Sequence, residues 1–220
     1  MWQAMATILV ASRKGGSGKT TLAVHMAALA DQPGAPALLI DADPQGSAKF
    51  WYSRRAAETP LLAAAAAGGV RAILDDAKAE KVGMVIIDSP PHDAAGIATL
   101  MRLSDLAVIP TRPGPLDLAA VSSTIEIARA IKLPFVVILN AAPPPRGDQV
   151  PAIVAEARQV LADMGAPVLA CYVAQRADLS HSLITGSAVH EFAPDSRAAV
   201  EISTAWAAIV NMLNNGDRNG

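Results

Sequence analysis

The chain has 220 residues, of which 52% are apolar and 17% charged, with 18 Lys+Arg against 20 Asp+Glu. A chain of this length buries roughly 70% or more of its unfolded surface, so its core needs no metal or disulfide staple. The lone cysteine, Cys171, excludes an internal disulfide framework and any cluster drawing several thiolates from one subunit, and it fits a reducing cytosol.

The elements follow in order. Met1 to Met5 lacks a basic start and an apolar stretch, so it reads as a short leader before the first strand, with Met5 a candidate native start. Short β-rich runs come at Thr7 to Ser12, Ala37 to Asp41, Met84 to Asp88, Leu106 to Pro110, Phe135 to Leu139 and Val168 to Val173. Most are continuously apolar, as strands buried on both faces are, which predicts an α/β class with a mainly parallel, helix-covered twisted sheet. Helices are expected at Lys19 to Ala30, Gly96 to Leu103, Leu116 to Ile131, Gln149 to Met164 and Ser196 to Leu213. In the last, Val200, Trp206, Ala207, Ile209, Val210 and Leu213 form an apolar stripe, and Asn214-Asn215-Gly216 stops it. Proline- and glycine-rich stretches such as Pro113 to Pro115 and Pro143 to Asp148 read as loops. No repeat, linker or second domain is visible, so residues 1–220 are expected to form one domain. Every apolar run that might approach about 18 residues is broken by charge, Gly or Pro, and no transmembrane helix is expected.

The most informative stretch runs from Arg13 to Thr21, after a buried strand and before a helix: Arg13-Lys14-Gly15-Gly16-Ser17-Gly18-Lys19-Thr20-Thr21. Glycines let successive backbone N–H groups turn inward around a phosphate, and the helix N-terminus adds partial positive charge. Lys19 reaches the outer phosphates, and the Thr20 hydroxyl can ligate magnesium. The pattern predicts a nucleoside triphosphate site with Mg²⁺, although Arg13 stands where the general motif has its first glycine.

A second lysine, Lys14, opens the loop, and with it the chain resembles the ParA/MinD family of deviant Walker ATPases, whose signature is Lys-Gly-Gly-x-Gly-Lys-Thr. The family tolerates a non-glycine before that lysine. The resemblance implies that Lys14 crosses a dimer interface to the partner's nucleotide, where a cation stabilises charge developing on the transferring phosphoryl group. Leu39 to Ser47 looks like the family's Asp-x-Asp-Pro-Gln motif. By that pattern Asp43 positions or activates the attacking water and Asp41 supports the magnesium shell, helix capping by Asp43 or Ser47 being the structural alternative. Val85 to Pro91 resembles the family's Walker B strand, which would put Asp88 at the magnesium site, since a buried acid is costly unless paired or near a cation. The four histidines, His25, His92, His181 and His190, have no metal-ligand spacing and are expected in surface or packing roles. The turn from Val108 to Leu118 looks like that of the small, plasmid-type ParA proteins called ParF-like. Asn140 and Pro194 are positional candidates for adenine contacts.

The resemblance implies an ATPase that dimerises on ATP and hydrolyses it under stimulation by a ParB-like or centromere-binding adaptor. Such proteins segregate plasmid or chromosome DNA or position a cellular cargo, in the cytoplasm and commonly on the nucleoid through non-specific DNA binding. The alternative from another class is a metabolic synthetase of the dethiobiotin-synthetase type. Asn211 to Gly220 carries one cation and no basic amphipathic stripe, so no membrane partner is expected. From Ala141 onward five basic residues (Arg146, Arg158, Arg176, Arg197, Arg218) face eight acidic ones, so DNA binding rests on the resemblance and not on charge. Arg158 and Arg197, on predicted exposed helix faces, are the favoured contacts.

Overall fold

The computed structural model describes residues 5–147 and 149–216. Of the expected leader Met1 to Met5, all but Met5 lie outside them, as does Arg218. Seven strands form one sheet: β1 (Ala6–Val10), β2 (Ala37–Asp41), β3 (Leu61–Ala64), β4 (Met84–Asp88), β5 (Leu106–Thr111), β6 (Phe135–Ala142) and β7 (Val168–Ala174), in the order β3-β2-β4-β1-β5-β6-β7. Every pairing is parallel. Nine α-helices are described: α1 (Lys19–Ala30), α2 (Ser47–Tyr52), α3 (Val70–Ala79), α4 (Ala94–Met101), α5 (Pro115–Ile131), α6 (Ala152–Asp163), α7 (Ala177–Ile184), α8 (Val189–Phe192) and α9 (Arg197–Gly216).

The continuous apolar runs are explained by their two covered faces. Ile8, Val10, Leu39, Met84, Ile86 and Val108 belong to one core with residues of α1, α2 and α9. Their neighbours Leu9, Leu38, Ile40, Val85, Ile87 and Ile109 point the other way, into a second core with α3, α4, α5 and α6. Side chains alternate across a strand, so a strand buried on both sides has no position left for a polar residue until it ends.

Boundaries shift where local chemistry decides them. Helix α4 starts at Ala94 because Asp93 caps it, its carboxylate accepting from the Gly96 N–H at 2.8 Å. Helix α6 starts after Pro151, later than the Gln149 expected from sequence. The apolar stripe of α9 is displaced from the expected one: Ala198, Ala199, Ile202, Ala205 and Ile209 are buried, whereas Val200 is 59% exposed and Ala207 is exposed. Helix α9 also continues through Gly216, past the expected stop.

Helices α2 and α8 are clasped together. The Trp51 indole N–H donates to the Ser187 carbonyl at 3.1 Å. Arg55 donates to the Gly186 carbonyl at 3.1 Å and forms a bidentate pair with Glu191 at 2.8 and 2.6 Å. Gly186 is left-handed at φ 73°, and a methyl group there would fall 2.3 Å from the Arg54 carbonyl carbon, so the backbone approach demands glycine. This clasp holds the segment that follows the Asp41–Asp43 motif against the core.

Candidate functional site

The strands β1, β2, β4 and β5 end side by side at one edge of the sheet, and the turns leaving those ends meet there. Residues 11–18 leave β1 and turn into α1, with Gly18 as the N-cap at φ 90°. A methyl group on Gly18 would sit 2.1 Å from the Asn140 amide nitrogen, which donates to the Ser17 carbonyl at 2.8 Å. Asn140, expected as an adenine contact, is thus brought to the phosphate loop, but its amide nitrogen braces the loop backbone. Glycine at 18 is required both by backbone angle and by this brace.

Lys19 is 6% exposed, and its ammonium lies 3.4 Å from the Lys14 carbonyl. Burial pulls its pKa below the ordinary lysine value, opposed first by Asp88 and then by Asp43. Thr20 donates its hydroxyl to Asp88 Oδ2 at 2.6 Å. The other carboxylate oxygen, Oδ1, is buried without a partner, and burial pushes the Asp88 pKa up to about 7 against the Thr20 hydrogen bond. Ser17 Oγ, Ser89 Oγ and Arg13 Nε, all on the same two turns, are likewise buried without partners. Buried polar groups are normally bonded, and four orphans on the two turns that leave the neighbouring strands β1 and β4 mark a place suited to a polar ligand. Thr21 is half-buried in the first turn of α1, while Gly15 and Gly16 are exposed on the rim.

A hard, oxygen-loving cation fits this chemistry. Among the described residues no group of three or more His, Cys, Asp or Glu could hold a metal alone. Magnesium typically takes one or two protein oxygens and completes its shell with phosphate and water, and Thr20 with the free oxygen of Asp88 is such a partial set.

Asp41, which ends β2, and Asp43, two residues on, differ from one another. Asp41 is 3% exposed and both its oxygens are occupied, Oδ1 by the Asp43 N–H at 3.2 Å and Oδ2 by the Lys49 N–H at 2.9 Å. Burial raises its pKa, and those backbone donors pull against the rise. Neither Asp43 nor Ser47 caps α2; the first turn of that helix is served by Asp41 from the end of the strand. Asp43 uses Oδ1 for the Gln45 N–H at 3.0 Å and lines an open cleft of about 360 Å³ with Asp41, Pro44, Gly46, Lys49 and Ala64 to Ala66.

Lys14 is half-buried and makes no ion pair among the described residues. Two groups for which the sequence suggested no part at the site, His92 and Arg112, also approach the loop. A methyl group on Gly15 would lie 3.6 Å from His92 Nε2, and one on Gly16 would lie 3.8 Å from Arg112 Nη2. His92 sits in the left-handed region at φ 61°, and its N–H donates to the Arg13 carbonyl at 3.2 Å. A strained non-glycine residue at a ligand loop is the signal that would have singled it out, and it is not a sequence signal. The other histidines match the expected roles where their surroundings are described: His25 is fully buried, accepting from the Val189 N–H at 3.2 Å, and burial lowers its pKa to about 3.

Pro194 is not brought to the loop. It lines a cleft with His190, Ala199, Val200, Ser203, Thr204 and Ala207, in which no residue of the phosphate loop takes part. A different cleft, of about 640 Å³, begins directly after Asn140 and is lined by Ala141, Pro143, Pro144, Gln175, Arg176, Ala177 and Ser180.

The family model described as the CobQ/CobB/MinD/ParA nucleotide binding domain matches residues 8–189. A carboxysome distribution maintenance protein A of Halothiobacillus neapolitanus is 32% identical over 205 residues, 89% of this chain and 91% of that protein. The protein of the same name from Gloeobacter kilaueensis is 36% identical over 175 residues, 76% of this chain and 75% of that one. The ATP complex of Cyanothece McdA superposes with a TM-score of 0.76 at 19% identity, covering 96% of each chain, a likeness of fold.

Proposed function

The chain belongs to the CobQ/CobB/MinD/ParA nucleotide-binding family, and from that premise we propose that it is an ATPase whose ATP-bound dimer positions a cargo. The carrying observation is the orphaned Asp88 Oδ1 beside Thr20 and Lys19, with Lys14 unpaired at the same loop. Lys19 and the loop N–H groups would hold the phosphates, and Thr20 and Asp88 would hold Mg²⁺, which would supply charge neutralisation for the phosphates when bound. The cleft after Asn140 accommodates the base. Asp43, exposed to the cleft with one oxygen uncommitted, orients the attacking water. Asp41 acts one step back by fixing the Asp43 backbone. Lys14 reaches the partner's nucleotide, so turnover requires two copies.

The cargo reading follows the two relatives whose names concern carboxysome distribution, which favours positioning of a large cargo over plasmid segregation. An adaptor protein would stimulate hydrolysis at the cargo. The track is non-specific DNA, held by the dimer. Of the arginines considered from sequence, Arg176 is committed to Glu201 at 2.5 Å and Arg158 to the Ala170 carbonyl, so Arg146 and Arg197, both exposed, are the better contacts. Among the described residues no helix is long and apolar enough to cross a membrane.

Light scattering tests this reading. The Asp43→Ala variant should bind ATP with parental affinity, fail to hydrolyse it and accumulate as dimer, while ADP leaves monomer. Lys14→Ala should bind nucleotide yet neither dimerise nor turn over. A Lys14→Ala variant that hydrolyses ATP at the parent rate would overturn the trans role. Fast turnover yielding a small-molecule product would support the synthetase alternative.

A further inference from the structure

Resting on that nucleotide reading, we propose that Arg112 binds the terminal phosphate of the nucleotide held by its own subunit, and thereby separates triphosphate from diphosphate. Arg112 follows the last residue of β5, the strand paired with β1 on the side away from Asp88. Its guanidinium stands over the rim of the loop, Nη2 lying 3.8 Å from the position of a methyl group on Gly16. The rim residues Gly15 and Gly16 are exposed, whereas Ser17 forms a buried floor, from whose edge the largely buried Lys19 reaches toward the outer phosphates. A cation over the rim therefore meets the outer end of a phosphate chain whose inner end sits on the floor.

The placement is enforced from both sides. The Ala11 N–H, at the start of the loop, donates to the Val108 carbonyl of β5 at 3.0 Å. The Arg13 N–H donates to Thr124 Oγ1 at 3.1 Å, and Thr124 is fully buried in α5, the helix that Arg112 leads into. The loop is thus bonded to the element before Arg112 and to the element after it. The turn itself is stiffened by Pro110, Pro113 and Pro115, which fix backbone angles, and Pro113 is buried.

The guanidinium is also uncommitted. Among the described residues the ion pairs are Arg55 with Glu191 and Arg176 with Glu201, and no side-chain hydrogen bond involves the Arg112 guanidinium. An arginine held rigidly at its backbone, free at its head and aimed at a loop with the orphaned Ser17 Oγ is arranged to take a ligand. Its planar fork suits phosphate oxygens better than an ammonium does. The contact is made within one subunit, which distinguishes it from Lys14.

Equilibrium titration of the full chain with fluorescent ATP and ADP in magnesium tests this. Parent, Arg112→Ala, Arg112→Lys and the remote control Arg71→Ala are compared, each also in a Lys14→Ala background at concentrations where light scattering shows monomer. Arg112→Ala should weaken ATP binding about tenfold or more, the usual scale for one charge-assisted contact, and ADP binding by less than about twofold. Arg112→Lys should recover part of the loss, and the ATP/ADP ratio should be the same in monomer. Equal losses for both nucleotides, no loss at all, or a loss confined to dimers would overturn the assignment. Unchanged ADP binding guards against a folding defect. A parent chain that bound neither nucleotide would sink the ATP reading itself, whereas a parent that binds both and ignores Arg112 sinks only this inference.

Discussion

Strands β2 and β4 end in acids that stand opposite each other in the sheet, Asp41 in register with Asp88. Both are almost wholly withdrawn from water, at 3% and 0% exposure. Their surroundings answer that burial in different ways. Asp41 is saturated by backbone N–H groups of its own turn and of α2, whereas Asp88 has one hydroxyl donor and one empty oxygen. Burying a carboxylate is costly without donors or a cation, so the first acid is satisfied by the protein, and the second keeps an open oxygen that the proposed cation would satisfy. Equal burial of the same residue type therefore carries no single meaning. What separates an organising acid from a ligand-binding one is the count of donors aimed at it.

The comparison can be broken most easily at Asp88. Asp88→Asn should raise the magnesium needed for nucleotide turnover by about a hundredfold, a typical upper figure for disturbing a metal's supporting shell. It should leave the melting temperature of the nucleotide-free chain equal or higher, because an unpaired buried charge has been removed. Asp41→Ala should do the reverse, lowering stability by about 1–3 kcal/mol in urea titration through two orphaned backbone N–H groups. Its effect on ATP affinity should be smaller than its effect on folding. A destabilised Asp88→Asn beside a fully stable Asp41→Ala would invert the distinction drawn here.

A pH series sharpens the same contrast with a smaller signal. The Asp88 pKa is raised to about 7 in the fold, above the ordinary carboxylate value, so between roughly pH 4 and 7 the folded chain holds a proton that the unfolded chain has lost. Stability is therefore lost as pH rises through that window. His25, with its pKa lowered to about 3, contributes the opposite slope below the ordinary histidine value. Comparing parent with Asp88→Asn cancels the histidine, and the melting temperature of the variant should exceed the parent's by a margin that grows from pH 5 to about pH 7 and levels off above it. A margin independent of pH would show that Asp88 does not titrate in that range.

Five of the nine described α-helices and six of the seven strands were legible in the sequence. The long helices and the buried strands announce themselves by period and by continuous apolar runs, as with Ala37 to Asp41 and Lys19 to Ala30, whose bounds match those of β2 and α1. Most of the rest depended on partners far along the chain. Strand β3 is a four-residue, alanine-rich edge that exists because it pairs with β2. Helix α2 is six residues long, has no cap from its own N-terminal neighbours and is held by Asp41 and the Arg55–Glu191 clasp. The four-residue α8 is likewise too short to be seen without the surface it covers, whereas α3, with Val70, Leu74 and Ala77 buried at helical spacing, carried a readable pattern that the sequence expectation omitted, as it omitted the eight-residue α7.

The phosphate loop, by contrast, is local: glycines, lysine and threonine are contiguous, and their chemistry needs only a strand before and a helix after. The sequence by itself determined that loop, the buried parallel strands and the acid at the end of β4, because each is specified by residues within a few positions of one another. Only the tertiary structure decided that Asn140 braces Ser17 across 123 positions, that Asp41 caps α2 and that Pro194 lies in another cleft. It also brought Arg112 and His92 to the loop rim. Those outcomes depend on which strand ends become neighbours, and the sheet order that settles it is fixed by the packing of two cores at once.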